Sequence, residues 1–171
     1  MLTAITDSST LIAMSTIGRL ALLRELYGTV TISTAVWQEV VEQGQGRSGA
    51  IEVEAACQEG WIEVRNVATS PLLQLLRRDL DDGESEVIAL AIEQGAQILL
   101  LDESEARRVA DLYKLRKTGV IGVLMRAKRE GRIGSLQVEL DRLRVEAGFR
   151  IQDDLYHKAL SAVGESKKHI N

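Results

Sequence analysis

The chain has 171 residues, 45% hydrophobic, 27% charged and only 4% aromatic, with a net charge of −4. This length suits one domain, with a core built from aliphatic side chains, as in helices packed on a mostly parallel sheet. One cysteine, Cys57, and two histidines, His157 and His169, exclude an internal disulfide, a cysteine-based zinc site and a His-rich metal site. Any chemistry therefore falls to carboxylates, hydroxyls, Lys and Arg.

The predicted elements alternate. Leu2 to Thr6 reads as a strand ending at Asp7. Ser9 to Leu26 has helical spacing, and Gly28 stops it. Thr29 to Ser33 reads as a second strand, followed by a helix from Ala35 to Gln43 capped by Ser33 or Thr34 and ended by Gly44. Ser48 to Glu59 is helical, and Trp61 to Val67 alternates as a strand. Leu72 to Leu80 is helical. Gly83 breaks it, and Glu84 to Gln94 forms an apolar helix ended by Gly95. Gln97 to Leu101 is a buried strand ending at Asp102. Ser104 to Leu115 is a helix, Thr118 to Ile121 a short strand and Gly122 to Arg129 a helix, before two last helices from Leu136 to Ala147 and Asp153 to Val163.

This alternation predicts an α/β sandwich with a central, mostly parallel sheet, in one domain over residues 1–163, with a polar, flexible tail at 164–171. No run reaches the length of a membrane span, and the start lacks the basic region of a signal peptide. A cytoplasmic, membrane-free protein is expected. Apolar helix faces near Leu20 to Leu23 or in the last helices are candidates for a homodimer contact.

Charge is uneven. Residues 51–105 hold 13 acidic and 3 basic side chains, and residues 106–132 hold 9 basic and 2 acidic. A phosphate-binding surface beside an acidic metal site gives this pattern, as does a solvated helix face.

Ligands of doubly wound folds bind at the carboxyl ends of parallel strands. Asp7 and Asp102 each follow a strand, so both should emerge on one sheet edge. Two buried carboxylates repel there, and a divalent cation relieves them. Glu39 lies one step off the apolar face of its helix. Glu84 and Glu86 stand in the first turn of theirs, where they also complement the helix dipole.

Four segments carry a resemblance: Asp7-Ser8-Ser9-Thr10-Leu11-Ile12, Gly83 to Ala91, Leu99-Leu100-Leu101-Asp102-Glu103 with Arg107, and Gly119 to Leu124. In this order they resemble the PIN-domain nucleases, and more closely their toxin-like (VapC-like) branch, over about residues 2–150. The resemblance implies an endoribonuclease, a hydrolase using Mg²⁺ or Mn²⁺, often the toxin half of a toxin–antitoxin pair. It implies an RNA substrate, an antitoxin partner and a dimer. Its metal-binding, catalytic acids map onto Asp7, Glu39 and Asp102, with Glu84 or Glu86 as a further ligand. Hard oxygen donors suit either metal. Ser9 either bonds Asp7 or a phosphate oxygen, or caps its helix. Arg107 either clamps phosphate or pairs with Glu103.

A haloacid-dehalogenase-like phosphatase needs a second Asp where Ser9 stands, and a receiver domain needs a Lys after a late strand, which Lys117 precedes. The alternative is a catalytically degenerate PIN-like domain that binds protein or RNA.

Overall fold

The computed structural model describes residues 2–165. Five parallel strands form one sheet: β1 (Ala4–Thr6), β2 (Val30–Ser33), β3 (Ile62–Arg65), β4 (Ile98–Leu100) and β5 (Lys117–Thr118), in the order β3-β2-β1-β4-β5. The chain lays β2 and β3 to one side of β1, then crosses back to place β4 on the other side. The order therefore reverses between β1 and β4, which makes a crevice above their carboxyl ends. The central strands are buried on both faces, which is why Ala4-Ile5 and Ile98-Leu99-Leu100 read as apolar runs without alternation.

Ten helices flank the sheet among the described residues: α1 (Ser8–Thr16), α2 (Ala21–Tyr27), α3 (Thr34–Trp37), α4 (Ala50–Gln58), α5 (Pro71–Leu76), α6 (Asp82–Gln94), α7 (Ser104–Leu112), α8 (Val120–Arg129), α9 (Leu136–Val145) and α10 (Asp153–Ala162). A wide π-helical turn, Gln38–Glu42, extends α3. Helices α1, α2 and α9 pack around α8, and α5 and α7 pack on α6, which also lies over β1 and β2. The core between these layers is aliphatic, with Ile5, Leu11, Met14, Leu23, Ile32, Ile88, Leu100, Leu124 and Leu140 all buried.

Three predicted elements differ. The single helix expected from Ser9 to Leu26 is two helices. Gly18 adopts φ +69°, and its N–H and that of Arg19 turn back to Ser15 O and Met14 O. A left-handed residue ends a helix, and glycine takes that conformation without a Cβ penalty. Arg19 then forks onto Oε1 of the buried Glu139 at 2.9 and 2.6 Å, tying the break to α9. Gly83 does not break a helix but lies inside the first turn of α6, because Asp81 is the cap. Val120 and Ile121 belong to α8 and not to a strand, since Gly119 starts that helix.

Leu20, Leu22 and Leu23 are core residues, so that stretch offers no apolar face to a second copy. Glu165 accepts hydrogen bonds from Leu136 N and Gln137 N at 2.7 and 3.0 Å and pairs with Lys128, so it holds the start of α9. Residues 166–171 of the expected flexible tail, His169 among them, lie outside the described residues. No helix among the described residues is long and apolar enough to cross a membrane.

Candidate metal centre

The two strand-end aspartates meet where the sheet order reverses. Asp7 N donates to Leu100 O at 3.0 Å, so the chain leaving β1 still pairs with β4. The Asp7 side chain is 3% exposed and caps α1, accepting from Thr10 N at 2.9 Å through Oδ1. Its Oδ2 accepts from Asp102 N at 3.1 Å. Asp102 in turn accepts from the Thr10 hydroxyl at 2.8 Å and from Val120 N, the first residue of α8, at 3.1 Å. One threonine thus joins both carboxylates, its N–H on Asp7 and its hydroxyl on Asp102.

Glu39 reaches the same region from the π-helical turn and accepts from the Ser8 hydroxyl at 2.6 Å. Gly83 makes room for it: a Cβ there would lie 3.2 Å from Glu39 Oε2. Asp81 and Glu84 form a reciprocal capping box at the start of α6, with N···O distances of 2.8 and 3.2 Å. Glu103 caps α7 by position and accepts from the Ser9 hydroxyl at 3.0 Å. Asp7, Ser8, Ser9, Glu39, Asp81, Glu84 and Glu103 line one cavity of about 270 Å³. The helices α1, α6, α7 and α8 all begin beside it or at Asp102, and their N-terminal dipoles lower the cost of gathering negative charge.

Burial pushes the Asp7 carboxyl up to about 6, against hydrogen bonds from Thr10 and Asp102 that favour its ionised form. Burial likewise raises Asp102, against the Thr10 hydroxyl, the Val120 N–H and the nearby Arg107 guanidinium. Glu84 is raised by burial, with the charges of Asp81, Glu103 and Glu39 adding to the shift. This is a place where negative charge is held at a cost that a cation would relieve.

Of the five carboxylates that the sequence offers as ligands, the structure brings four to this region. Asp7, Glu39 and Glu84 line the cavity, and Asp102 bonds Asp7 from the adjoining crevice. Glu86 stands apart: its Oε1 accepts from Ala35 N at 3.1 Å, at the start of α3, and Arg77 lies 3.9 Å from its Oε2. Residues two apart on a helix point about 200° away from one another, so Glu84 and Glu86 cannot serve one cavity. Ser9 neither caps α1 nor bonds Asp7, because Asp7 is itself the cap and Glu103 takes the Ser9 hydroxyl. Arg107 does not pair with Glu103; it donates to Leu101 O at 2.7 Å.

Ser8, Thr10, Asp81 and Glu103 were missed as site residues. The spacing of Asp81 and Glu84 is that of a capping box and was readable. The role of Thr10 depends on a contact across 92 positions and was not.

Five of the nine basic residues of 106–132 form ion pairs within the chain, most of them at its surface. Arg108 pairs with Glu105, Lys117 with Asp111, Arg126 with Glu130, Lys128 with Glu165 and Arg132 with Glu25. Of these basic residues, Arg107 and Lys117 line the crevice beside Asp102.

The donor set fits a hard divalent cation in kind. Carboxylate and hydroxyl oxygens line the cavity, with no sulfur or imidazole. Asp7, Glu39, Glu84 and Glu103 are the residues that could hold it. Among the described residues, no three Asp, Glu, His or Cys side chains are gathered closely enough to ligate one ion as placed. Their oxygens are engaged instead with helix N-termini and hydroxyls, which leaves each carboxylate further lone pairs.

Known proteins show the same framework. A PilT N-terminus domain protein from the hyperthermophilic archaeon Sulfolobus solfataricus P2 has a similar structure, with a TM-score of 0.53 at 18% identity, covering 71% of this chain and 90% of that one. This likeness is one of fold. No curated protein sequence matches the chain. A family model described as a PIN domain, DUF3368, matches residues 3–165. PIN domains are generally nucleases and generally use divalent metal ions. With acids at the carboxyl ends of β1 and β4 and a match spanning nearly its whole length, this chain belongs to the DUF3368 family of PIN domains.

Proposed function

We propose that this protein is an endoribonuclease that needs Mg²⁺ or Mn²⁺, with Asp7, Glu39 and Glu84 as the metal-holding acids and Asp102 beside them. The observation that carries the reading is the acidic cavity at the switch point of the sheet, with a buried Asp7 whose pKa is raised to about 6. A divalent ion held by these acids would supply Lewis acidity toward a phosphoryl oxygen and would activate water at neutral pH.

The chain's own groups do the rest. Thr10 fixes Asp7 and Asp102 in one orientation, so their spacing does not depend on the ligand. Ser8 orients Glu39 and Ser9 orients Glu103 toward the same cavity. Arg107 stands beside Asp102 with one N–H on Leu101 O, and its remaining N–H groups can meet a phosphate oxygen. The scarcity of cysteine and histidine leaves proton transfer to water and carboxylates.

Cleavage of a mixed single-stranded RNA pool tests this. Activity should require Mn²⁺ or Mg²⁺, stop with EDTA and be lost in Asp7→Asn. A second reading, RNA binding without cleavage, is favoured by the failure of three acids to converge as placed. It predicts RNA retention with no cleavage and no rise in melting temperature with Mn²⁺, because only a ligated site is stabilised by mass action.

A further inference from the structure

A second crevice, of about 490 Å³, opens behind Asp102 between α7, the start of α8 and the loop joining α9 to α10. Asp102, Arg107, Lys117, Gly119, Phe149 and Arg150 line it. We propose that it holds one nucleotide of a single-stranded RNA next to the scissile phosphate, with the base on Phe149 and a phosphate on Arg150 and Arg107. This deepens the nuclease reading and rests on it.

The crevice is continuous with the acidic cavity. A third cavity, of about 300 Å³, shares Asp102 and Phe149 with this crevice and shares Ser9 and Glu103 with the acidic cavity. The three form one track past Asp102, with carboxylates at one end and cations at the other. Arg150 is exposed and makes no ion pair or side-chain hydrogen bond among the described residues, and Arg107 keeps spare donors. Lys117 is held by Asp111, so it adds field more than contact.

Phe149 N donates to Leu143 O at 2.9 Å, and Arg144 donates to Ile151 O at 2.5 Å while stacking 4.3 Å from the Tyr156 ring centroid. The loop is pinned on both sides of Phe149 and Arg150, so little ordering is left for binding. Phe149 is half-buried, with part of its surface lining both cavities. Aromatic faces of this kind take unstacked bases of any identity. A paired base cannot reach such a recessed ring, and single strands are recognised through bases that can splay out. Gly119 completes the floor, since a Cβ there would lie 2.5 Å from Asp102 Oδ1 and 3.3 Å from the Arg107 guanidinium.

The test measures binding without cleavage. The full chain in EDTA is titrated against a fluorescent 2′-O-methyl oligoribonucleotide, single-stranded or annealed, at several salt concentrations. Phe149→Leu, which keeps apolar packing and removes the π face, should weaken binding about fivefold or more with the salt dependence unchanged. Arg150→Ala should weaken binding and reduce the slope of log K against log salt by about 0.7. The duplex should bind less tightly than the single strand. Wild-type affinity in both variants, tighter binding of the duplex, or no binding of the oligonucleotide overturns the subsite. Cleavage without these effects leaves the nuclease and removes the subsite. These effects without any metal-dependent cleavage leave a crevice that binds single-stranded RNA but remove the nuclease, and with it the placement beside a scissile phosphate.

Discussion

Replacing Asp7 by Asn should stabilise the metal-free protein at neutral pH while removing its response to metal. Asp7 has a pKa of about 6 in the folded chain against an ordinary 3.8. A raised acid favours the native state while protonated. That contribution is complete below about pH 4, falls as pH rises through about 6, and is absent above it. About two units correspond to about 3 kcal/mol. Asparagine carries no charge and caps a helix as well as aspartate does. It has one acceptor oxygen where Thr10 N and Asp102 N now use two, so one hydrogen bond is lost at about 1 to 2 kcal/mol. The net gain is about 1 to 2 kcal/mol at pH 7.5, or roughly 3 to 6 °C in a domain of this size. Urea unfolding of both proteins in EDTA, from pH 4 to pH 8, reads this directly. The variant should be the weaker at pH 4, and the difference should reverse between pH 4 and 7. Adding Mn²⁺ should then raise the melting temperature of the parent and not of the variant. A stability difference that does not change with pH would refute the assignment of Asp7 as a carboxylate buried at a cost.

The two glutamates of α6 should separate. Glu84→Gln should reduce the Mn²⁺-induced rise in melting temperature, whereas Glu86→Gln should leave that rise intact and lower stability by about 1 kcal/mol through its Ala35 and Arg77 contacts. Equal effects of the two would contradict their opposite directions. Gly119→Ala should lower RNA cleavage tenfold or more, because its Cβ would displace the Asp102 Oδ1 that Val120 N holds and so turn the carboxylate away from Thr10. Wild-type turnover in that variant would show that the position of Asp102 is not required. A roughly tenfold loss corresponds to about 1.4 kcal/mol in the barrier, well within the reach of one displaced carboxylate.

The pattern of apolar residues by itself determined the architecture. Short buried runs ending at Asp7 and Asp102, alternating with helices stopped at Gly28 and Gly95, are enough to specify a parallel sheet with covered faces, because each element carries its period locally. It also placed Asp7 and Asp102 on one edge, since strand ends of a parallel sheet share a direction. Helix phase alone separates Glu84 from Glu86, yet it cannot say which of the two faces the cavity; that was decided by Ala35, 51 positions from Glu86, with Arg77 at the end of the preceding helix beside it. The break at Gly18 is local, a left-handed glycine, whereas its tie to α9 depends on Arg19 meeting Glu139, 120 positions away. The basic run pointed to a phosphate surface, but five of its nine charges found carboxylate partners, two of them within one helix turn and others on distant segments. Thr10 became the joint between the two aspartates only because β4 lies beside β1, so its hydroxyl meets Asp102. Local periodicity is written along the chain, whereas the partner that satisfies each polar group is chosen only when distant segments are brought within hydrogen-bonding distance.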